Sequence, residues 1–253
     1  MAIDLQRPTE RDVKAANRRL YDAVAGRYEQ IDGRRSASLE SWLRGTLAQL
    51  RSQAPGGRLL DVGAGSGLVC RCAEGHFDLR VGIDLSPAIL AAHRDCFTVA
   101  AAGDVDRLPF PDRSFDALVC FAALHHLFRV EGLIAEAARV LKPGGVFYSA
   151  HAMGQAFHRR FRLPLAVDRR RRNASGRYRA ALREDPGSTY ALAEFQEAGI
   201  DSVAIVRRME AQGFRVELRH HWFGLTPLTD RLFGSRPPDR GWAPLAAIRA
   251  VRL

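Results

Sequence analysis

A glycine-rich stretch, LLDVGAGSG, spans residues 59–67 and is the part of the sequence best suited to binding a nucleotide-like ligand. Gly63, Gly65 and Gly67 alternate with small residues directly after a short apolar run. Glycines at this spacing let the backbone turn tightly and approach a ligand closely. Asp61 precedes the first glycine and places a negative charge beside the turn. The stretch therefore predicts a ligand-binding turn between a strand and a helix.

Two phosphate-binding patterns do not fit this turn. A dinucleotide-binding turn has glycine or alanine at the position that the bulky Leu68 occupies here. A P-loop has a lysine followed by serine or threonine, and the turn contains no lysine. Asp61 would repel a pyrophosphate but would attract an ammonium or sulfonium group. These features favour S-adenosylmethionine as the ligand.

On these residues the sequence resembles the class I S-adenosylmethionine-dependent methyltransferases, in particular the small-molecule branch that includes ubiquinone and menaquinone biosynthesis enzymes. The family pattern of two apolar residues followed by D-x-G-x-G-x-G is matched by LLDVGAGSG. VGIDLS, GDVDRLPFPDRSFD and FAALHHLF follow in the expected order. The resemblance covers residues 59–145 well and the two ends only in outline. It implies methyl transfer to a small-molecule acceptor, with S-adenosylhomocysteine as the product of the cofactor.

The resemblance also implies which residues contact the cofactor. Asp61 would orient the amino group of its methionine part, Asp84 would accept hydrogen bonds from both ribose hydroxyls, and Asp104 would receive the adenine amino group. For Asp84, a turn or helix-capping role stays open as an alternative. The full implied set is Tyr28, Asp61, Gly63, Ala64, Gly65, Gly67, Asp84, Leu85, Gly103, Asp104, Val105 and Phe121.

Three histidines and one tyrosine are candidates for catalysis. Methyl transfer from a sulfonium depends mainly on proximity and alignment, and it needs a base only where the acceptor holds its proton firmly. His125 and His126 follow the fourth predicted strand, and His151 ends the fifth, at the edge where open α/β sheets bind ligands. Tyr21 lies in a segment that resembles the family's helix that closes over cofactor and acceptor. Each of the four could instead have only a packing role.

Seven strands are predicted to position these residues. Short apolar runs alternate with amphipathic segments, which predicts repeated strand and helix units. The predicted strands cover residues 58–62, 79–84, 97–103, 115–121, 145–151, 213–223 and 243–253. The last two strands are expected to form a hairpin at one edge. We expect an α/β fold with a Rossmann-like, mostly parallel sheet of order 3-2-1-4-5-7-6 flanked by helices.

The predicted chain has four segments. Residues 1–52 form an N-terminal helical cap that is expected to fold over the edge of the sheet, and residues 53–152 form the cofactor-binding core. Residues 153–212 form a helical, acceptor-binding insertion between the fifth and sixth strands. Residues 213–253 supply the last strands of the same sheet.

The composition excludes several classes of protein. The chain is 47% hydrophobic and 26% charged, it has no apolar run of membrane-spanning length, and its start lacks the apolar core of a secretion signal. A soluble, cytoplasmic protein is expected. Of four cysteines only Cys70 and Cys72 lie close together, and alternation turns His220 and His221 to opposite faces of a strand. No metal site is therefore expected.

The net charge of +10 comes almost entirely from arginine, most densely in residues 158–183. Arg159, Arg160 and Arg169–Arg172 could attract an anionic acceptor, or they could form a solvated surface. An RNA methyltransferase is one alternative that the charge suggests. However, FAALHHLF lacks the Asn or Asp-Pro-Pro-aromatic motif of enzymes that methylate nucleobases, so nucleic acid is not the expected partner. A protein that binds the cofactor without methylating is the other alternative, and the oligomeric state stays open.

Overall fold

The computed structural model describes residues 8–32, 36–172, 186–196, 198–223 and 243–253, together with residues 176, 178, 231 and 232. Only the backbone is described at residues 32, 168–172 and 186–188. No helix in these ranges combines the length and the apolar character that crossing a membrane requires.

Ten α-helices and seven strands are named here in chain order. The strands are β1 (Arg58–Val62), β2 (Leu79–Asp84), β3 (Val99–Ala102), β4 (Phe115–Phe121), β5 (Leu141–Met153), β6 (Phe214–His221) and β7 (Leu245–Arg252). The helices are α1 (Glu10–Val24), α2 (Tyr28–Asp32), α3 (Ala37–Arg51), α4 (Leu68–Cys72), α5 (Pro87–Ala92), α6 (Glu131–Val140), α7 (Gln155–Arg160), α8 (Arg162–Arg172), α9 (Pro186–Ala193) and α10 (Ser202–Ala211). Short 3-10 helices cover Ala25–Arg27, Arg94–Cys96 and Leu124–His126.

The strands form one sheet in the order β3-β2-β1-β4-β5-β7-β6, which confirms the predicted fold class. Pairs among the first five strands are parallel, and β7 is antiparallel to both β5 and β6. The predicted boundary of β5 is wrong, since this strand begins at Leu141 and not at Gly145. Leu141 pairs with Phe115, and a register shift follows before Val146 pairs with Ala117. Gly144, at φ +75°, lies within this irregular stretch.

Capping residues start several of the helices. Ser86 accepts a hydrogen bond from the amide of Ile89 with Pro87 in the first turn, and Asp201 accepts one from the amide of Ala204. These caps satisfy amides that a helix leaves without an intrahelical partner.

The position expected for the N-terminal helices is wrong for α3. Its stripe of Leu39, Leu43, Leu47 and Leu50 is buried in one apolar cluster with residues of β1, β4 and β5. The helix therefore covers a face of the central strands and does not wrap over the sheet edge. Four leucines on one helical face need a broad apolar partner, which the centre of the sheet provides.

The two faces of the sheet have separate apolar cores. Alternate residues of one strand point to opposite faces, so Leu60 belongs to one core and Leu59 to the other. The first core includes α6 and α10, and the second includes α3 and α4. This two-sided burial holds the carboxyl ends of the parallel strands in place, and the candidate site lies there.

Candidate functional site

A cavity of about 290 Å³ lies at the carboxyl ends of β1, β2, β4 and β5. It brings together all of the predicted site residues except Gly67 and Gly103. The four candidate catalytic residues and the cofactor-binding candidates thus share one space. The lining also includes residues that the sequence did not single out, namely Lys14, Asn17, Leu39, Leu68, Val69, Asp106, Ala122, Ala123, Leu127, Phe128, Met153, Glu194, Gln196 and Leu245.

The glycine turn adopts a backbone that other residues rarely take. Gly63, Gly65 and Gly67 have φ values of +67°, +50° and +73°. A Cβ atom at Gly63 would lie 2.8 Å from the Cβ of Ala123, and one at Gly67 would lie 2.5 Å from the Cβ of Cys96. Both distances are too short for real contacts. Gly67 therefore supports the site by starting α4 in a tight space, without lining the cavity itself.

Gly103 also acts through packing. A Cβ atom there would lie 2.8 Å from Cδ1 of Ile83, in the neighbouring strand. Its backbone amide donates to the carbonyl of Asp84 at 2.9 Å. Gly103 thus holds the connection after β3 against the end of β2, where Asp84 enters the cavity.

Asp84 makes the turn contacts of one predicted role, and its place in the cavity wall is compatible with the other. One carboxylate oxygen accepts from the amide of Gly65 at 2.9 Å and the other accepts from the amide of Ser86 at 2.9 Å. It also lines the cavity beside Leu85. Burial raises the pKa of Asp84, and the two amide hydrogen bonds oppose that rise. A single carboxylate therefore fixes the glycine turn and faces the ligand space.

Asp61 lies inside β1 and is only 1% exposed, yet it lines the cavity. A buried carboxylate is costly unless a polar or cationic partner compensates it. Its position beside Gly63 suits the ammonium group of a methionine moiety.

Lys14, on α1, joins three carboxylates at the other end of the cavity. Its ammonium lies 2.8 Å from Asp104 Oδ2, 2.6 Å from Asp106 Oδ2 and 2.6 Å from Glu10 Oε1. Burial disfavours the charge of Lys14, but these hydrogen bonds outweigh it and raise the lysine pKa. The N-terminal helix is thereby tied to Asp104, the candidate adenine contact. Sequence reasoning missed Lys14, although its rarity among arginines was a visible signal.

Tyr21 and His126 form a hydrogen-bonded pair. The Tyr21 hydroxyl lies 3.0 Å from Nε2 of His126, and Nδ1 of the same ring lies 2.8 Å from the carbonyl oxygen of Ala193. Because a carbonyl can only accept, Nδ1 carries the proton and Nε2 accepts from the tyrosine. Asn17 also donates to the His126 carbonyl at 3.3 Å. The pair is therefore set up to take a proton at Nε2.

His125, His126 and Glu194 form a second cluster next to this pair. Nε2 of His125 lies 3.6 Å from Glu194 Oε2, and Nδ1 of His126 lies 4.0 Å from Glu194 Oε1. The candidate ligand atoms of the three side chains all lie within 4.8 Å of one another, so they could hold a metal ion. The expectation of no metal site thus stays a prediction. Glu194 was missed because no sequence pattern links the insertion to the turn after β4.

His151 lies in an aromatic cluster at the cavity wall. Its ring is 4.4 Å from Phe121, 5.1 Å from Trp42 and 5.0 Å from His221, measured between ring centroids. Its backbone has φ +66°, an unusual value for a residue other than glycine. The pairing of β5 with β7 shifts register between Ser149 and Ala152, on either side of His151. His151 thus lies at an irregular point of β5, two residues before the strand ends at Met153.

The arginine-rich segment contributes nothing to the described lining. Arg159 and Arg160 are exposed and do not line the cavity. The side chains of Arg169–Arg172 lie outside the described residues.

Comparison with known proteins places this geometry among methyltransferases. The family described as "Methyltransferase domain" matches residues 60–149. A demethylmenaquinone methyltransferase of Mycobacterium sp. (strain KMS) is 33% identical over 227 residues, which are 87% of this chain and 94% of the relative.

Solved structures share the fold at lower identity. A methyltransferase from Thermotoga maritima, described as a possible histamine N-methyltransferase, has a TM-score of 0.61 and 15% identity, covering 93% of this chain and 99% of that one. The [4+2]-cyclase SpnF has a TM-score of 0.59 and 20% identity, covering 97% of this chain and 96% of that one. Because a cyclase shares the architecture, the fold alone does not define the reaction.

Proposed function

We propose, from the premise that this chain belongs to the class I S-adenosylmethionine-dependent methyltransferases, that it methylates a hydroxylated aromatic ring of the quinone class. The enzyme acts on a small molecule. The relative that covers most of the chain is named for demethylmenaquinone, which supports an acceptor of this class. The observation that carries the proposal is the convergence of the glycine turn and the Tyr21–His126 pair on one cavity.

The cavity suits the cofactor by its shape and by its charges. Gly63 and Gly65 line the cavity without side chains, which would let a ligand approach their backbone closely. Asp61 would hold the ammonium group, Asp84 the ribose hydroxyls and Asp104 the adenine amino group. Leu85, Val105 and Phe121 would enclose the rest. S-adenosylmethionine, when bound, supplies a methyl group on a sulfonium whose sulfur keeps the electron pair as the C–S bond breaks.

The chain's own part in the reaction is to align the acceptor and to manage its proton. Tyr21 would contact an acceptor hydroxyl, and Nε2 of His126 would take the proton, either directly or through the tyrosine oxygen. The Ala193 carbonyl keeps Nδ1 protonated and so keeps Nε2 available. His125 and His151 would line the space for the acceptor, and the Tyr28 ring, 5.6 Å from that of Tyr21, would pack between the cofactor and α1.

Several finer predictions accompany this function. Residues 1–52 and 153–212 would form the acceptor side of the enzyme, around the core of residues 53–152. The reaction would need no metal and would take place in the cytoplasm. Nucleic acid would not be the acceptor.

Calorimetric titration with S-adenosylhomocysteine tests the cofactor site. We expect micromolar binding, and in Asp84→Asn we expect affinity that is weaker by roughly 10- to 100-fold, because ribose hydroxyls lose a charged acceptor. Asp95→Asn is the matched control, since Asp95 is exposed and does not line the cavity. Absence of binding below millimolar concentration would refute the cofactor assignment.

Incubation with labelled S-adenosylmethionine tests the acceptor class. Reduced demethylmenaquinone should gain the label, whereas RNA should not. Tight cofactor binding with no methylated product from the quinol would reject the proposed acceptor, and label in RNA would favour the alternative.

A further inference from the structure

The acceptor end of the cavity, which is the part beside the Tyr21–His126 pair, contains a carboxylate to which the proposed function gives no role. Glu194 lines the cavity, and its side chain is 16% exposed. Among the residues that the structure describes, the basic side chains with a nitrogen within 4.0 Å of its carboxylate are His125 and His126. The other acids of the lining, Asp61, Asp84, Asp104 and Asp106, lie with the cofactor-binding elements or are paired with Lys14. Glu194 therefore stands apart from them.

The lining as a whole is acidic although the protein is basic. It contains five carboxylates, those of Asp61, Asp84, Asp104, Asp106 and Glu194. Among the described lining residues, Lys14 is the one lysine or arginine, and it is occupied by Asp104, Asp106 and Glu10. No described cation is thus available at the acceptor end to compensate a negatively charged group. A carboxylate or phosphate there would be repelled in a space of low dielectric, where charge interactions are strong.

We infer that Glu194, together with His125, is a recognition site for a proton-bearing group of the acceptor and makes the enzyme select neutral or cationic acceptors over anionic ones. A hydroxyl or an ammonium group can donate to the carboxylate, and both give the same charge-assisted hydrogen bond. Glu194 is a specificity-determining residue in this role. The inference rests on the proposed function, since it needs the acceptor to occupy the cavity beside the cofactor.

The geometry supports hydrogen-bond recognition over a bound metal. Nδ1 of His126, which lies 4.0 Å from Glu194, is also 2.8 Å from the Ala193 carbonyl oxygen and therefore carries a proton, so this nitrogen offers no lone pair to a metal. The carboxylate oxygens of Glu194 are 3.6 Å and 4.0 Å from the imidazole nitrogens. Both separations are longer than a hydrogen bond, so neither imidazole donates to a Glu194 oxygen.

Three probes with one ring and different substituents test the charge preference. Isothermal titration of the protein loaded with S-adenosylhomocysteine would use 2-naphthol, 2-naphthylmethylamine and 2-naphthoate. We expect the first two to bind at least about tenfold more tightly than the naphthoate. Glu194→Gln keeps the side-chain shape and removes the charge, so the amine should lose about tenfold in affinity and the preference against naphthoate should fall below about threefold. Glu210→Gln, at an exposed position on α10 outside the lining, should behave as the unaltered protein.

The cofactor titration separates failure of this inference from failure of the proposed function. Unchanged affinity of Glu194→Gln for S-adenosylhomocysteine shows that the variant is folded and that the cofactor site is intact. Equal affinity for the three probes, tighter binding of naphthoate, or no binding of the naphthol and the amine would overturn the inference. Dependence of probe binding on added zinc, with loss in a chelator, would also overturn it, because the cluster would then be a metal site.

Discussion

The hydroxyl of Tyr21 lies 3.0 Å from Nε2 of His126, and the opposite nitrogen of that ring lies 2.8 Å from the carbonyl of Ala193. The three groups come from α1, from the turn after β4 and from the end of α9. Their alignment is therefore a product of tertiary packing, in which the N-terminal helix and the insertion meet over the core. The carbonyl fixes the tautomer of the imidazole, and the imidazole orients the phenol.

This relationship predicts a specific defect in Tyr21→Phe. The variant keeps the ring, which packs edge-on against His126 at 5.5 Å, but it loses the hydroxyl that is hydrogen-bonded to Nε2. We expect kcat with reduced demethylmenaquinone to fall by about 100-fold or more, the range of a lost proton-transfer group. Affinity for S-adenosylhomocysteine should stay within about twofold, as measured by calorimetry. An unchanged kcat would mean that Tyr21 only fills the contact between the helix and the sheet.

The tie between Lys14 and its three carboxylates predicts the stability of the N-terminal helix. Lys14→Gln leaves Glu10, Asp104 and Asp106 close together without their shared cation. We expect the free energy of unfolding, measured with urea at pH 7, to fall by about 1 to 3 kcal/mol. Because the pKa of Lys14 is raised above its usual value, the stabilisation is present at neutral pH and is lost only as the pH rises through the alkaline range.

Arg18→Gln is the matched control on the same helix. Its side chain is 61% exposed and lies 3.7 Å from Asp22, so this ion pair is screened by water. The expected loss is below about 0.5 kcal/mol. If Lys14→Gln were no more destabilising than Arg18→Gln, the ion pairs of Lys14 would contribute no more to the free energy of unfolding than an exposed ion pair does.

The strand order and the cofactor end of the cavity could be predicted because both follow from local patterns. Each parallel strand is a short apolar run, and the acid or glycine that ends it must lie at the same edge of the sheet. The family resemblance singled out Asp61, Asp84 and Asp104, and all three line the cavity at this edge. The sequence did not predict that Asp84 also binds the amide of Gly65, because that bond depends on how closely β1 and β2 approach each other.

The residues that enter the cavity from the N-terminal helix and from the insertion could not be predicted to the same extent. Lys14 and Glu194 reach the cavity from segments that are distant in sequence, and neither belongs to a motif. The leucine stripe of α3 requires a buried face but does not identify its partner, and the expected location of this helix at the sheet edge was wrong. Amphipathic patterns specify that a face must be covered, whereas tertiary packing decides what covers it.

His221, buried at the end of β6, predicts how stability responds to acid. Burial lowers the pKa of His221 to about 4, and a hydrogen bond from its ring to the Phe223 carbonyl only partly opposes this. An unfolded histidine titrates near its usual value of about 6.5. Between these values the unfolded chain binds a proton that the folded protein does not bind, so stability must fall as the pH drops from about 6.5 to 4.

The size of this effect can be measured by comparing His221→Phe with the unaltered protein. In His221→Phe the unfolded chain no longer gains this proton. The fall in unfolding free energy from pH 7 to pH 4 should therefore be smaller than in the unaltered protein by on the order of 3 kcal/mol. His220, whose pKa is also lowered by burial, is present in both proteins, so its contribution cancels.

Phe223→Leu is the control, because the Phe223 ring stacks on the Trp42 ring, with 5.4 Å between centroids, and does not titrate. It should shift the whole curve of stability against pH downward without changing its slope. A His221→Phe curve that stays parallel to that of the unaltered protein would show that His221 is protonated in the folded state as readily as in the unfolded chain.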